Sequence, residues 1–221
     1  MTYTEHQYRT ELKRYANSDL SELSGKPRFN VKPETMAFGT AFHTMTLEPD
    51  KPVEGWDLLT APQQWQLCSM WGQVMNDESI APLLAKSEHE QVRCWDDPIT
   101  GLPLKAKIDG WLDRGRYVHV IDLKTTSCRS EDEFIKTCQD YNYDRQGAFY
   151  LSSDQRAAYF SIVGVQKQPP YQVWHHRYHI DSDFIQTGMK KMRYLLALAK
   201  EEADKPNGWR PSSWSRIEQQ A

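Results

Sequence analysis

The chain has 221 residues, of which 39% are hydrophobic and 12% aromatic, and its 27 Lys and Arg against 30 Asp and Glu leave a formal charge of −3. That apolar content excludes a disordered chain and suffices for one α/β core, while the slight acidity excludes a protein that coats nucleic acid through a broad positive field. Contact with DNA would have to be local and metal-assisted.

The longest apolar runs, 157–165 and 194–199, fall far short of the ~20 residues a bilayer span requires. The first fifteen residues mix charges of both signs and lack an apolar stretch followed by small residues, so the expectation is a cytoplasmic protein without a membrane segment. Cysteines 68, 94, 128 and 138 form no C-x-x-C pair, which argues for reduced structural thiols rather than a zinc or iron–sulfur site.

In chain order, residues 1–16 predict a short polar helix, and a second small helix follows with Asn17 or Ser18 as its N-cap and a stop at Gly25-Lys26-Pro27. From Pro33 to Leu47 apolar residues recur at three- and four-residue spacing, giving an amphipathic helix that ends at Glu48-Pro49. Residues 50–60 read as a loop, and 62–84 as one or two helices with Trp65, Leu67, Met70, Trp71 and Val74 on the buried side. Strands follow at 88–95, 104–112 and 117–123, joined by the turns DDPITG and DRGR into an antiparallel meander. Helices at 130–137 and 144–150, strands at 158–166 and 172–180, and a long amphipathic helix capped by Asp181 and reaching about Ala203 complete the pattern. The expected organisation is one domain over 1–205, helical over 1–87, with sheet and helices over 88–180 and a terminal helix over 181–203. The tail 206–221 is expected to be poorly ordered.

The chemistry concentrates in Lys105-Ala-Lys-Ile-Asp109-Gly and Ile121-Asp122-Leu-Lys124-Thr-Thr. Because side chains alternate along a strand, Asp122 and Lys124 point to one side while Leu123 enters the core, and a hairpin register brings Asp109 opposite them. Two such carboxylates repel unless a hard divalent cation lies between them, and a neighbouring ammonium can steady charge at a phosphodiester transition state. The flanking Ile108, Val118, Val120 and Ile121 bury these strands, and buried ionised groups are costly unless paired or metal-bound. Gln146 and Tyr150 form an i, i+4 pair that puts an amide and a phenol on one helix face.

With these motifs, NSDLSELSGKPRFN, GTAFHTMTLEPD, EHEQVRCWDDPITGLPLKAKIDGW, VIDLKTTS and YDRQGAFYL in order over 17–165, the chain resembles the PD-(D/E)xK nucleases, and among them the RecE-like exonucleases of phages and prophages. The resemblance implies an α/β fold of the restriction-endonuclease-like type, a mixed central sheet flanked by helices with an N-terminal helical elaboration. It implies that Asp109 and Asp122 are metal-binding acids, the Leu123 carbonyl a backbone ligand and Lys124 the catalytic lysine. His43 falls where a helix histidine meets the metal, and Glu48 near the helix end. Glu90 matches an acid that faces the site and is preferred over Glu88, which lies two residues away and would point the same way. Gln146 and Tyr150 would border the site and contact the DNA strand, and Thr125 and Thr126 would offer hydroxyls to phosphate.

The implied activity is a Mg²⁺-dependent exonuclease, with Mn²⁺ as a substitute, degrading linear duplex DNA 5′ to 3′ to leave single strands for recombination. The implied partners are DNA, a single-strand annealing protein and further copies of the chain in a ring. The rivals are a structure-specific or restriction-like endonuclease and a catalytically inactive DNA-binding module of the same fold. Lys105, Lys107, Arg129 and Arg145 are candidates for a DNA path, and Lys26 and Arg28 for a terminal 5′ phosphate, unless they form a solvated face. Of eight tryptophans, Trp65, Trp71, Trp95 and Trp111 are expected to pack the core or a subunit contact, with base stacking as the alternative.

Overall fold

The computed structural model describes residue 3 and residues 5–25 and 32–214. Two short helices, α1 (Glu5–Thr10) and α2 (Asn17–Leu23), precede a helical layer of α3 (Pro33–Leu47), α4 (Ala61–Asn76) and α5 (Ala81–Ala85). Strands β1 (Glu88–Asp96), β2 (Pro103–Asp113) and β3 (Val118–Thr126) follow, then α6 (Glu131–Asp140) and α7 (Tyr143–Leu151). Strands β4 (Ala157–Gln166) and β5 (Val173–His179) and the long helix α8 (Asp183–Ala203) close the chain. Among the described residues no helix is long and apolar enough to cross a membrane.

The five strands pair in chain order. β1 to β3 form the expected antiparallel meander, β3 and β4 run parallel, and β5 returns antiparallel. A parallel neighbour requires a crossover, which α6 and α7 supply. The mixed sheet flanked by helices is the fold class the motifs imply. Period-two alternation divides β3 and β4 between two cores: Ile121, Leu123, Val163 and Val165 meet α3 and α4 through Phe42, Leu67 and Met70, whereas Val118, Val120, Phe160 and Ile162 meet Phe149, Ile185 and Met192 of α7 and α8. Asp122, one position after Ile121 and paired with Ile162, therefore lies on the α7 side.

The close approach of α7 to α8 depends on Gly188, where an added Cβ would stand 2.0 Å from the Asp144 carbonyl oxygen. The Lys191 ammonium, 2.7 Å from Asp144 Oδ2, ties the same pair of helices together.

Several local expectations change. The first helix ends at Thr10, and the chain then runs out to Tyr15, which forms an isolated parallel bridge with Leu104. The cap of α2 is Ala16 rather than Asn17 or Ser18, because the Asp19 carboxylate accepts the Ala16 N–H at 2.7 Å and supplies the acceptor from inside the helix. In α4, Leu67, Met70 and Val74 are buried as expected, but Trp65 is 66% and Trp71 39% exposed, since the rings lie outside the stripe that meets the sheet. The tail is packed as far as Trp214: Trp209 and Trp214 lie 6.1 and 4.9 Å from the buried Tyr15 ring, and Ser212 bonds Glu22. Apolar burial of two indoles outweighs the tail's polar composition. The four cysteines are free thiols, with Cys128 and Cys138 buried and Cys68 exposed.

Candidate active site

The antiparallel ladder between β2 and β3 runs from Asp113↔Val118 to Gly110↔Ile121. One step further the Asp109 side chain takes over: its Oδ2 accepts the Leu123 backbone N–H at 2.7 Å. That contact holds Asp109 against β3, beside the acid-x-lysine segment. Asp122 is 1% exposed, and its Oδ1 accepts hydrogen bonds from Lys124 Nζ at 2.9 Å and Gln146 Nε2 at 3.0 Å. Lys124 Nζ is also 2.7 Å from Asp122 Oδ2, but without hydrogen-bond alignment, so Oδ2 is a buried carboxylate oxygen with no hydrogen-bond donor. Gln146 Nε2 further donates to Tyr150 Oη at 2.7 Å, so the i, i+4 pair of α7 acts as a brace on Asp122.

On the other side of Asp109 stand His43 of α3 and Glu90 of β1. The nearest ligand-type atoms of His43, Glu90 and Asp109 all lie within 4.8 Å of one another, and His43 Nδ1 is 3.6 Å from Asp109 Oδ1. Glu90 occupies the position opposite Asp109 in the register and has φ of 55°. That left-handed backbone breaks the alternation by which Glu88 and Glu90 would point together; Glu88 is exposed while Glu90 is half-buried and ion-paired to Lys107. A cavity of about 380 Å³ opens here, lined by His43, Glu48, Glu90, Lys107 and Asp109. Lys124 instead lines a neighbouring cavity of about 330 Å³ with Thr125 and Thr126. The site thus lies between two openings.

Electrostatics follow from this crowding. Burial pushes the Asp122 carboxyl up to about 6, with the charge of Asp109 acting in the same direction against the Lys124 ammonium. Burial also opposes ionisation of Asp109, but the neighbouring His43 ring, Lys124 and the Leu123 N–H together hold that carboxyl below its ordinary value. His43 is pushed down by burial and more than restored by Asp109, and Glu90 is raised by burial and by Asp109. Lys124 is raised above its ordinary value: burial works against the ammonium, but Asp122 and other nearby groups outweigh it.

The donor set fits a hard divalent cation. Two carboxylates and an imidazole converge, and the buried Asp122 Oδ2, which has the Lys124 ammonium as ion-pair partner but accepts no hydrogen bond, is a further candidate oxygen. The contact seen at Leu123 is made by its N–H, to Asp109.

Of the expected DNA-path residues, two are not available. Lys105 is 4% exposed and donates to the Tyr8 and Leu12 carbonyls at 2.7 and 2.8 Å. Arg145, also 4% exposed, is turned inward onto Asn17 and Ser21, where it fastens α7 to α2. Long cationic side chains on an interior-facing position find backbone and hydroxyl acceptors rather than solvent. Lys107 is engaged with Glu90, and Lys26 and Arg28 lie outside the described residues. Sequence reasoning also passed over a buried polar row on the other sheet face, where Ser161 Oγ lies 2.8 Å from His119 Nε2 and 2.7 Å from His175 Nε2. Its only signal was polar residues at alternate positions of otherwise apolar strands.

The family model for a PDDEXK-like domain of unknown function (DUF3799) matches residues 10–206. The chain belongs to that family. Membership places it among the nuclease-type hydrolases that act on DNA and are generally dependent on a divalent metal. Among solved structures, a putative exonuclease from Eubacterium rectale is similar over 100% of this chain and 94% of its own, with 15% identity and a TM-score of 0.63, a likeness of fold. An alkaline exonuclease from Laribacter hongkongensis is similar over 90% of this chain and 94% of its own, with 16% identity and a TM-score of 0.43. No curated protein matches the chain in sequence.

Proposed function

We propose that this PDDEXK-like protein is a Mg²⁺-dependent DNA exonuclease that degrades linear duplex from its ends, 5′ to 3′, and leaves single strands for recombination. The observation that carries the chemistry is the braced Asp122. Lys124 and Gln146 donate to Oδ1, the buried Oδ2 accepts no hydrogen bond, and the carboxylate feels the charges of Asp109 and His43. The polarity, the recombination role, a ring of subunits and the annealing-protein partner rest on the motif resemblance.

His43, Glu90, Asp109 and Asp122 would hold the cation, with the Leu123 carbonyl as the backbone ligand the motif assigns. When bound, it supplies positive charge to the scissile phosphate and acidifies the attacking water. Asp109 is anchored by the Leu123 N–H, so its second oxygen keeps a fixed direction. Lys124, ion-paired to Asp122, would stabilise charge building on the phosphoryl oxygens. Gln146 and Tyr150 hold Asp122 in register from α7.

The test is digestion of end-labelled linear duplex in Mg²⁺ beside a covalently closed circle. Release of labelled nucleotides from the 5′ end with an intact circle supports the proposal. Cutting of the circle gives the endonuclease, and Asp122→Ala or Lys124→Ala digesting like the parent removes these residues from the chemistry.

A further inference from the structure

Beyond Lys124, at the carboxyl ends of the parallel strands β3 and β4, the chain continues into Lys167, whose N–H donates to the Thr126 carbonyl at 2.8 Å. Crevices at the carboxyl ends of parallel strands are where α/β sheets receive ligands. Lys167 lines the Lys124 cavity, whose lining includes Glu133, and also a smaller cavity of about 180 Å³ with Glu34, Phe38, Gln63 and Gln66, although neither carboxylate is ion-paired to it. Its ammonium is half-buried over the Phe38 ring at 5.4 Å, and no carboxylate among the described residues is ion-paired with it. Burial of the group without an anion works against its charge, a cost that an incoming anion would relieve.

Trp65 lies on the helix that meets the turn at Lys167. The neighbouring Gln66 amide donates to the Lys167 carbonyl, and the Trp65 ring meets Tyr171, at the end of the same turn, edge-on at 6.3 Å. The indole is 66% exposed, on a helix that carries no charged residue in its sixteen positions. A cation lining the Lys124 cavity and an exposed indole on the helix bonded to its turn match the two parts of a nucleotide: a phosphate and a flat base.

We propose that Lys167 and Trp65 form a track for single-stranded DNA leaving or entering the active site, with Lys167 on a backbone phosphate and Trp65 stacked on a base. This rests on the nuclease reading for its place in the reaction, but the binding itself needs neither metal nor cleavage. A single cation makes the electrostatic part small, and stacking carries most of the affinity.

The test is anisotropy of a labelled oligothymidylate in EDTA across a salt series, for the parent, Lys167→Gln, Trp65→Ala and Trp65→Phe. Trp65→Ala is expected to weaken binding about ten-fold with an unchanged salt slope, and Trp65→Phe to retain most of the affinity. Lys167→Gln is expected to weaken binding at low salt and reduce the log–log salt slope by about 0.7. Variants that bind like the parent overturn the track, as does a Trp65→Ala effect confined to subunit association in sedimentation, which would assign the indole to a second copy of the chain. Mg²⁺-dependent digestion of duplex by the parent is measured in parallel. Digestion with unaltered oligonucleotide binding in the variants removes the track and leaves the nuclease, whereas absent digestion with the expected binding pattern removes the nuclease reading and leaves the strand site.

Discussion

Asp109 Oδ2 accepts the Leu123 backbone N–H at 2.7 Å, so a side chain replaces the backbone acceptor just where the β2–β3 ladder stops. In the proposed site the carboxylate would serve stability and chemistry together, and two substitutions separate these roles. Asp109→Asn keeps an oxygen acceptor for Leu123 but loses the charge, so it should abolish activity at small cost in stability. Asp109→Ala leaves a buried N–H unpaired and should cost a further ~1–3 kcal/mol in urea unfolding.

In the proposed reaction Gln146 acts as a positioning residue, through its hydrogen bond to Asp122. Removing its amide in Gln146→Ala should leave Asp122 free to turn and lower turnover by about 10–100-fold, the range seen when a supporting hydrogen bond to a metal ligand is lost. Tyr150→Phe, which leaves the Gln146–Asp122 bond in place, should have the smaller effect. Equal losses in steady-state digestion assays would refute the order Tyr150, Gln146, Asp122.

Gly188 permits the contact that places α7. Gly188→Ala would drive a Cβ into the Asp144 carbonyl, and the expected result is destabilisation of about 3 kcal/mol in denaturant unfolding. Activity should fall with it, because Gln146 rides on the displaced helix.

Stability should fall on acidification through the pair of histidines around Ser161. Burial first, then Arg177 and His175, push His119 down to about 4. Between its ordinary value and 4 the unfolded chain takes up a proton that the folded chain refuses. The stabilising contribution is therefore whole above the ordinary histidine range and lost as pH falls through the window, by at most about 3 kcal/mol. Asp122, raised to about 6, contributes the opposite slope, since below 6 the folded chain holds the proton more tightly. Comparing urea midpoints of the parent and His119→Gln from pH 7 to 4 cancels Asp122 and exposes the histidine alone.

EDTA should abolish turnover, Mg²⁺ and Mn²⁺ should restore it, and Ca²⁺ should bind without supporting it. Calorimetric titration should show His43→Ala binding Mn²⁺ about ten-fold or more weakly than the parent. Unaltered binding would mean that His43 only balances the charge of Asp109.

The sequence by itself determined the element order, the meander, the alternation that puts Asp122 and Lys124 on one side of Leu123, and the pairing of Gln146 with Tyr150 on one face of α7. These are readings of period 2 and period 3.6, which the local chain carries without help. The motif already prefers Glu90 over Glu88, but only the tertiary structure supplied the left-handed backbone that parts the two side chains, which no residue type at that position announces. It also buried Lys105 and Arg145, exposed Trp65, and packed Trp209 and Trp214 onto Tyr15. Each of those outcomes depends on which distant segment arrives opposite a given side chain. Burial and pairing are properties of two surfaces meeting, and one stretch of sequence specifies only one of them.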